Sequence, residues 1–306
     1  MSLLTTPAVA NAIARLIQRG PGPRIRAEIA FAELSAETRS LTVPTRHGDV
    51  GATLYLPAEP ASSPPALYVN FHGGGYVIRH PEQDDPLCRY LAAHAGVAVL
   101  NVDYDVAPGH PFPVAVEEAY DAVVWAAGRD GTWDGSRIVV GGQSAGGGLA
   151  AAVARQALEH GSPALALQVL HYPPLDVTTP GDEKHAAGRS IISVPLTRIF
   201  DTAYAPRPDQ KRHRLASPAW GANADGIEGI APALVITCGL DRLHDEGVRY
   251  ADRLREAGAL AEHVDLRGVD HGYSIMGSDR ATVERSYRLI AGHVRRAARP
   301  GDAGHA

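Results

Sequence analysis

Val139-Val140-Gly141-Gly142-Gln143-Ser144-Ala145-Gly146-Gly147-Gly148 joins a β-branched run at residues 137–140 to an alanine-rich helical stretch at 145–160. The segment contains G-x-S-x-G in the strand, turn and helix context that gives the pattern a structural meaning. A sharp turn there forces the central residue into a strained backbone conformation, and a Cβ at position 142 or 146 would crowd it. Ser144 is then pushed into the open at the sheet edge, at the start of a helix whose dipole favours developing negative charge. Two plainer readings compete: a glycine-rich turn without chemistry, and a phosphate cradle. A G-x-G-x-x-A match begins at Gly146, inside the helix and not directly after the strand, which is the wrong place for a dinucleotide loop. A Walker loop needs glycine before lysine, and the only lysines, Lys184 and Lys211, follow Glu183 and Gln210.

Outward from this turn, short apolar runs alternate with helical stretches. Strands are expected over residues 66–71, 97–102, 137–140, 164–170, 233–238 and 261–266. Helices are expected over 84–95, 115–127, 145–160, 247–257 and 282–297. That alternation predicts βαβ units and an α/β fold, a mostly parallel central sheet with helices on both faces. Upstream, strands at 40–45 and 50–56 flank the turn His47-Gly48-Asp49. Before them, Val9, Ile13, Leu16 and Ile17 recur at helical spacing over 7–19, until Gly20-Pro21-Gly22-Pro23 stops the helix. Residues 175–223 break the alternation. They are rich in proline and charge, carry one helix candidate at 195–204, and are too long for a connector, which predicts a lid or cap.

The 306 residues favour one large domain spanning 1–306. With 45% hydrophobic and 21% charged residues the composition is that of a globular chain, which excludes disordered, collagenous and coiled-coil classes. Twenty-nine basic against 34 acidic residues give a net charge of −5, so neither nucleic acid nor an anionic membrane is an expected partner. Cys88 and Cys238 are too far apart in sequence for a C-x-x-C pair or a zinc knuckle and read as buried thiols in a reducing compartment. The N-terminus lacks a cationic leader, and no stretch approaches the roughly 18 apolar residues of a membrane span, so a cytoplasmic address is expected. Residues 299–306 read as a disordered tail. A homodimer stays open.

Strand 66–71 runs into His72-Gly73-Gly74-Gly75-Tyr76. Three consecutive glycines cost conformational entropy, so the backbone there either approaches something closely or adopts conformations closed to other residues. An oxyanion hole uses such a loop: bare N–H groups from it and from Ala145 converge on the charge that forms when Ser144 attacks a carbonyl. The competing reading is a mobile surface loop. A serine nucleophile needs a base, and the base an orienting carboxylate. Of the 14 histidines, His271 stands out in Gly268-Val269-Asp270-His271-Gly272-Tyr273, a turn at the carboxyl end of the sheet where open α/β folds place ligands. Asp241 follows strand 233–238 at the same edge, and Ser144, Asp241, His271 is the chain order this fold uses. Asp270 competes for the orienting role, but adjacent side chains in an extended turn diverge. Asp245, a second competitor, reads as a helix cap or a supporting group.

Five motifs in order, HGGGY, GQSAGGG, Tyr104-Asp105-Val106-Ala107-Pro108-Gly109-His110-Pro111-Phe112-Pro113, Asp241-Arg242-Leu243-His244-Asp245-Glu246-Gly247 and Asp270-His271-Gly272-Tyr273, resemble the hormone-sensitive-lipase-like bacterial carboxylesterases of the α/β-hydrolase fold. The resemblance covers about residues 45–295. It implies a serine carboxylesterase for short-acyl esters, acting through an acyl-enzyme, with Ser144, Asp241 and His271 as triad and Gly74, Gly75 and Ala145 as oxyanion donors. It also implies a structural role for His72, a cap built from about 1–45 and 175–223, and no cofactor or metal. Three positions depart from the family pattern: Gln143 where an acid usually precedes the nucleophile, and Asp105 and Gly109 in the Tyr-Arg-Leu-Ala-Pro-Glu run. Their loss of charge is expected to remove salt bridges behind the site.

An amide-directed hydrolase, a deacetylase or formamidase with the same triad, is the nearest rival. A non-catalytic small-molecule receptor on this scaffold would lack the catalytic histidine, and His271 is present. A dehalogenase or epoxide hydrolase would need aspartate at 144. Ile191, Ile192, Val194, Leu196, Ile199, Phe200 and Tyr204 either line an acyl pocket or form the cap's own core, the commoner fate of apolar residues at helical spacing.

Overall fold

Six consecutive buried residues, Ala66–Phe71, form β3 near the middle of the sheet. A computed structural model of the chain describes residues 3–22, 24–58, 63–129, 131–188, 190–277 and 279–299. Among them, eight strands lie in the spatial order β1 (Glu37–Thr45), β2 (Gly48–Leu56), β4 (Ala98–Asp103), β3, β5 (Asp134–Gln143), β6 (Leu165–His171), β7 (Ala233–Cys238) and β8 (Leu260–Leu266). The pairs β1–β2 and β2–β4 are antiparallel, and every pairing from β4 to β8 is parallel.

Alternation along the strands feeds two cores. Leu67, Val69 and Phe71 of β3 face one side with Val235 of β7, while Ala66 and Tyr68 face the other with Leu234 and Ile236. Each such aliphatic or aromatic side chain removed from water contributes about 1.5–3 kcal/mol. The first core includes α1 (Pro7–Gln18), α3 (Val114–Ala127), α4 (Ala145–His160), α5 (Val194–Tyr204) and α7 (His244–Glu256); the second includes α2 (Asp85–Ala95) and α9 (Arg280–Ala297). Two four-residue helices, α6 (Pro208–Lys211) and α8 (Tyr273–Met276), complete the set. None of the described helices is long and apolar enough to cross a membrane. Cys88 and Cys238 are free thiols, both buried.

Several boundaries move from their expected places. β5 continues through the glycines to Gln143, because Gly141 and Gly142 pair with Asn70 and Phe71 of β3 and with Val169 and Leu170 of β6. α7 starts at His244, three residues early, with Asp245 and Glu246 in its first turn, where acids suit the helix dipole. The N-terminal share of the expected cap shrinks. Glu37–Thr45 is the edge strand β1, paired along its whole length with β2, so it belongs to the sheet. Ile29 and Phe31 pack in the α2–α9 core, where the Phe31 ring lies 5.3 Å from Tyr90 and 5.5 Å from Tyr287. What lies over the carboxyl end of the sheet is α1 packed on α5, together with the irregular chain from Leu175 onward. Pro23, in the expected helix stop, and residues 300–306 of the expected tail lie outside the described residues.

Candidate active site

Between β5 and α4 the backbone of Ser144 adopts φ 53° and ψ −126°, a conformation unfavourable to any residue with a side chain. Close packing holds it there. A Cβ on Gly146 would lie 1.7 Å from the carbonyl oxygen of Phe71, and one on Gly142 would lie 2.2 Å from the same atom. The Ser144 N–H donates to His171 O at 2.9 Å, anchoring the turn to β6.

The three side chains singled out in the sequence meet here. Ser144 Oγ is 2.8 Å from His271 Nε2, and His271 Nδ1 is 2.7 Å from Asp241 Oδ2. An ionised carboxylate only accepts, so Nδ1 carries the hydrogen and Nε2 presents its lone pair to the serine hydroxyl. Asp241 is 2% exposed and His271 7%. Asp241 Oδ1 also accepts the Leu243 N–H at 3.0 Å, and Leu240 donates to Val269 O at 3.0 Å, which stitches the loop carrying Asp241 to the loop carrying His271.

Neither competing aspartate reaches the imidazole. Asp270 accepts the His271 main-chain N–H at 2.7 Å, the Ser190 hydroxyl at 2.9 Å and the Ile191 N–H at 2.7 Å. Asp245 bonds His244 Nδ1 at 2.8 Å in the first turn of α7.

The glycine loop passes directly beside the elbow: a Cβ on Gly73 would sit 3.5 Å from that of Ser144. Gly74 has φ +123° and Gly75 φ +60°, and a Cβ would meet Ile78 O at 2.3 Å on the first and the Phe200 ring at 2.2 Å on the second. These positions therefore require glycine. The N–H groups of Gly74, Gly75 and Ala145 have no acceptor among the described residues. His72 lies buried beneath this loop, its Nδ1 2.6 Å from Gly73 O and its ring stacked 4.3 Å from Tyr104. Burial pushes its pKa down to about 4, so it is neutral at pH 7 and holds the loop without carrying charge.

Ser144 and His271 open into a cavity of about 630 Å³. Ile191, Ile192, Leu196 and Phe200 line it, contrary to the expectation that they form a core; only Ile199 and Tyr204 of that group are buried in one. Helical spacing marks an apolar face and does not say whether that face meets protein or empty space.

A family model described as alpha/beta hydrolase fold matches residues 68–275. The chain belongs to that family. Esterase LipI of Mycobacterium tuberculosis is 36% identical over 233 residues, 74% of this chain and 71% of the relative. An ethyl acetate hydrolase of Pseudomonas putida is 35% identical over 246 residues, 78% and 76% of the two chains. The solved Pyrobaculum calidifontis esterase superimposes with a TM-score of 0.80 at 31% identity, covering 97% of this chain and 94% of that one. The protein is thus a hormone-sensitive-lipase-like α/β-hydrolase, a carboxylic ester hydrolase acting on small-molecule esters.

Within this family frame two of the three departures, Gln143 and Asp105, find partners that sequence reasoning missed. Gln143 donates through Nε2 to Asp84 and accepts through Oε1 from Ser274 Oγ at 2.7 Å and from the Tyr172 hydroxyl. Asn70 donates to Asp84 at 2.8 Å, and all five side chains are buried. An amide suits position 143 because it donates on one side and accepts on the other. A second carboxylate there would face that of Asp84, which burial already lifts to about 7. At position 143 hydrogen bonds stand in place of an ion pair, whereas at Asp105 the expected loss is corrected. Arg79 bridges Asp103 at 2.6 Å and Asp105 at 3.2 Å, so an ion pair persists with the acid at 105. Gly109 is exposed. The visible clue to the buried network was Asn70, a polar residue inside an apolar strand, which needs a partner when buried.

Proposed function

We propose that Ser144, His271 and Asp241 form the catalytic triad and that the enzyme cleaves short-acyl esters through an acyl-enzyme. The observation that carries the reading is the continuous chain of bonds from the Ser144 hydroxyl through His271 to Asp241, at 2.8 and 2.7 Å, opening on the cavity. As Ser144 Oγ attacks the ester carbonyl, Nε2 of His271 takes its proton, and the imidazolium is stabilised by Asp241. The N–H groups of Gly74, Gly75 and Ala145 then hold the tetrahedral oxyanion, a task for which their lack of other acceptors leaves them ready. Collapse of this intermediate breaks the bond to the alcohol oxygen, which leaves with the proton from His271. Water, deprotonated by the same imidazole, attacks the acyl-enzyme, and Ser144 regains its proton as the carboxylic acid departs.

The short acyl preference draws on two supports: the likeness to an ethyl acetate hydrolase, and the Phe200 ring, which closes the cavity beside Gly75. In this reading α1 and α5 act as the cap, with Gln18 Nε2 donating to Val77 O at 2.7 Å and Ala107 O at 2.9 Å to hold α1 on the chain just after the glycine loop and on the segment 104–113. Ser144→Ala, with its far-UV spectrum unchanged, is expected to lose several orders of magnitude in kcat toward p-nitrophenyl acetate. Undiminished turnover overturns the reading, as does a panel of p-nitrophenyl esters in which decanoate outruns acetate and butanoate.

A further inference from the structure

Most of the cavity wall is apolar, yet three charged side chains, Arg79, Lys184 and Asp201, line it together with Ser144; Arg79 is engaged by Asp103 and Asp105, which leaves Lys184 and Asp201. Lys184 is one of the chain's only two lysines and its side chain is 7% exposed. Its ammonium has three hydrogens to give. One goes to Glu246 Oε2 at 2.6 Å and one to Asp176 O at 2.5 Å, and the third has no acceptor within bonding distance among the described residues. Asp201, on α5 directly after Phe200, receives no side-chain or main-chain hydrogen bond on its carboxylate from any described residue. Burial lifts its pKa to about 6, against the pull of Lys184 and Lys211. A donor with one hydrogen to spare and an acceptor without a protein donor, in one largely apolar cavity, form a complementary pair. A hydroxyl, which donates and accepts at once, completes both.

The arm of the substrate that meets them follows from the chemistry. The leaving oxygen must face His271, so the alcohol arm runs beside the residues next to the imidazole, Ile191, Ile275 and Met276. Asp201 instead follows Phe200 on α5, and the Phe200 ring lies against Gly75, whose N–H is proposed to hold the carbonyl oxygen at the head of the acyl group. We propose that Lys184 and Asp201 form a polar subsite for the acyl chain and select carboxylic esters whose acyl group carries a hydroxyl. This rests on the esterase reading above and names its substrate class.

The test compares matched pairs in a pH-stat: ethyl 3-hydroxybutanoate against ethyl 3-methylbutanoate, and ethyl 6-hydroxyhexanoate against ethyl heptanoate. A third pair, 4-hydroxybutyl acetate against pentyl acetate, moves the hydroxyl to the alcohol arm. The enzyme is expected to favour the hydroxylated member of at least one acyl pair by tenfold or more in kcat/KM, with no such preference in the alcohol pair. Asp201→Asn and Lys184→Met should each cut that ratio at least fivefold, the loss falling on the hydroxylated ester. Ratios near one in both acyl pairs, a preference confined to the alcohol pair, or ratios unmoved by both variants overturn the subsite while Ser144-dependent hydrolysis still stands. Absence of hydrolysis for every ester, or hydrolysis that survives in Ser144→Ala, overturns the esterase reading itself. The wild-type ratios decide the matter even where a variant fails to fold.

Discussion

Around Ser144, packing leaves no room for choice: Gly142 and Gly146 each bring a backbone against Phe71 O so closely that one added carbon would overlap it. Over the cavity, the chain from Gly181 to Ile192 is held instead by polar ties. Arg242 donates to Ile192 O at 2.8 Å, Gly181 O at 2.9 Å and Lys184 O at 3.1 Å, and Asp270 holds Ser190 and Ile191. Gly188 in that stretch has open space where a Cβ would go. Steric fixing is local and intolerant, because an overlap of backbone atoms is relieved only by moving a strand at the centre of the sheet. Polar tethering tolerates small changes and spends long side chains from residues next to Asp241 and His271. The tether therefore links the layer over the cavity to the two loops that carry Asp241 and His271.

The largest effect expected from this contrast is at Gly146. Gly146→Ala should cost more than about 4 kcal/mol or yield no folded enzyme, whereas Gly188→Ala should stay within about 0.5 kcal/mol in thermal or urea unfolding. Comparable losses at the two sites would break the distinction. Next comes Asp241→Asn. With an amide beside Nδ1 the imidazole settles in the tautomer whose Nε2 carries hydrogen, and kcat should fall about 10⁴-fold while the fold persists. Asp270→Asn, one residue from His271 but bonded to main chain and to Ser190, should lose only about tenfold. Equal losses would mean that Asp270 matters to the imidazole as much as Asp241 does.

The same contrast explains what was legible in the sequence. The elbow could be read because its constraint is written within ten contiguous residues, and the meeting of Asp241 and His271 with Ser144 because strand ends and chain order restrict where a proposed acid and base can stand. The network joining Gln143 to Asp84, Asn70, Tyr172 and Ser274 could not be assembled, since its members come from separate elements and only Asn70 betrayed itself by interrupting an apolar strand. The extra residues of β1 were missed because pairing decides them: Glu37 lies opposite Leu56, although residues 37–40 show no apolar alternation of their own. Arg242 gave no sign of its three carbonyl partners, which lie 50 to 61 residues away in irregular chain.

Arg242→Met measures the tether directly. The methionine keeps much of the apolar stem and removes every donor, leaving three carbonyls to find water, for a loss of about 2–4 kcal/mol. Activity should fall about ten- to a hundredfold, with KM sharing the change because the cavity wall is loosened. Limited proteolysis should cut between residues 181 and 192 sooner than in the parent. A kcat loss with unchanged KM and unchanged cleavage would show that Arg242 acts through Asp241 alone and that the layer stands without it.

The smallest effect concerns pH. Asp201, on the tethered side, has its carboxyl lifted to about 6 by burial, with Lys184 and Lys211 opposing and Asp176 adding to the rise. Between about pH 4 and 6 the native chain therefore holds a proton that the unfolded chain, with an ordinary carboxyl, has released. The native state binds more protons across this window, so the carboxyl withdraws stability as pH rises through it. Asp201→Asn carries no such proton. Unfolding free energies of parent and variant from urea titration should keep a constant separation below pH 4, then shift in the variant's favour by about 1–2 kcal/mol by pH 7, a value discounted because the group faces the cavity and is partly screened. A separation that stays constant from pH 4 to 7 would mean the carboxyl is as well solvated as on the surface. The cavity wall at α5 would then be as forgiving of charge as open solvent, and the contrast with the tightly packed elbow would be sharper still.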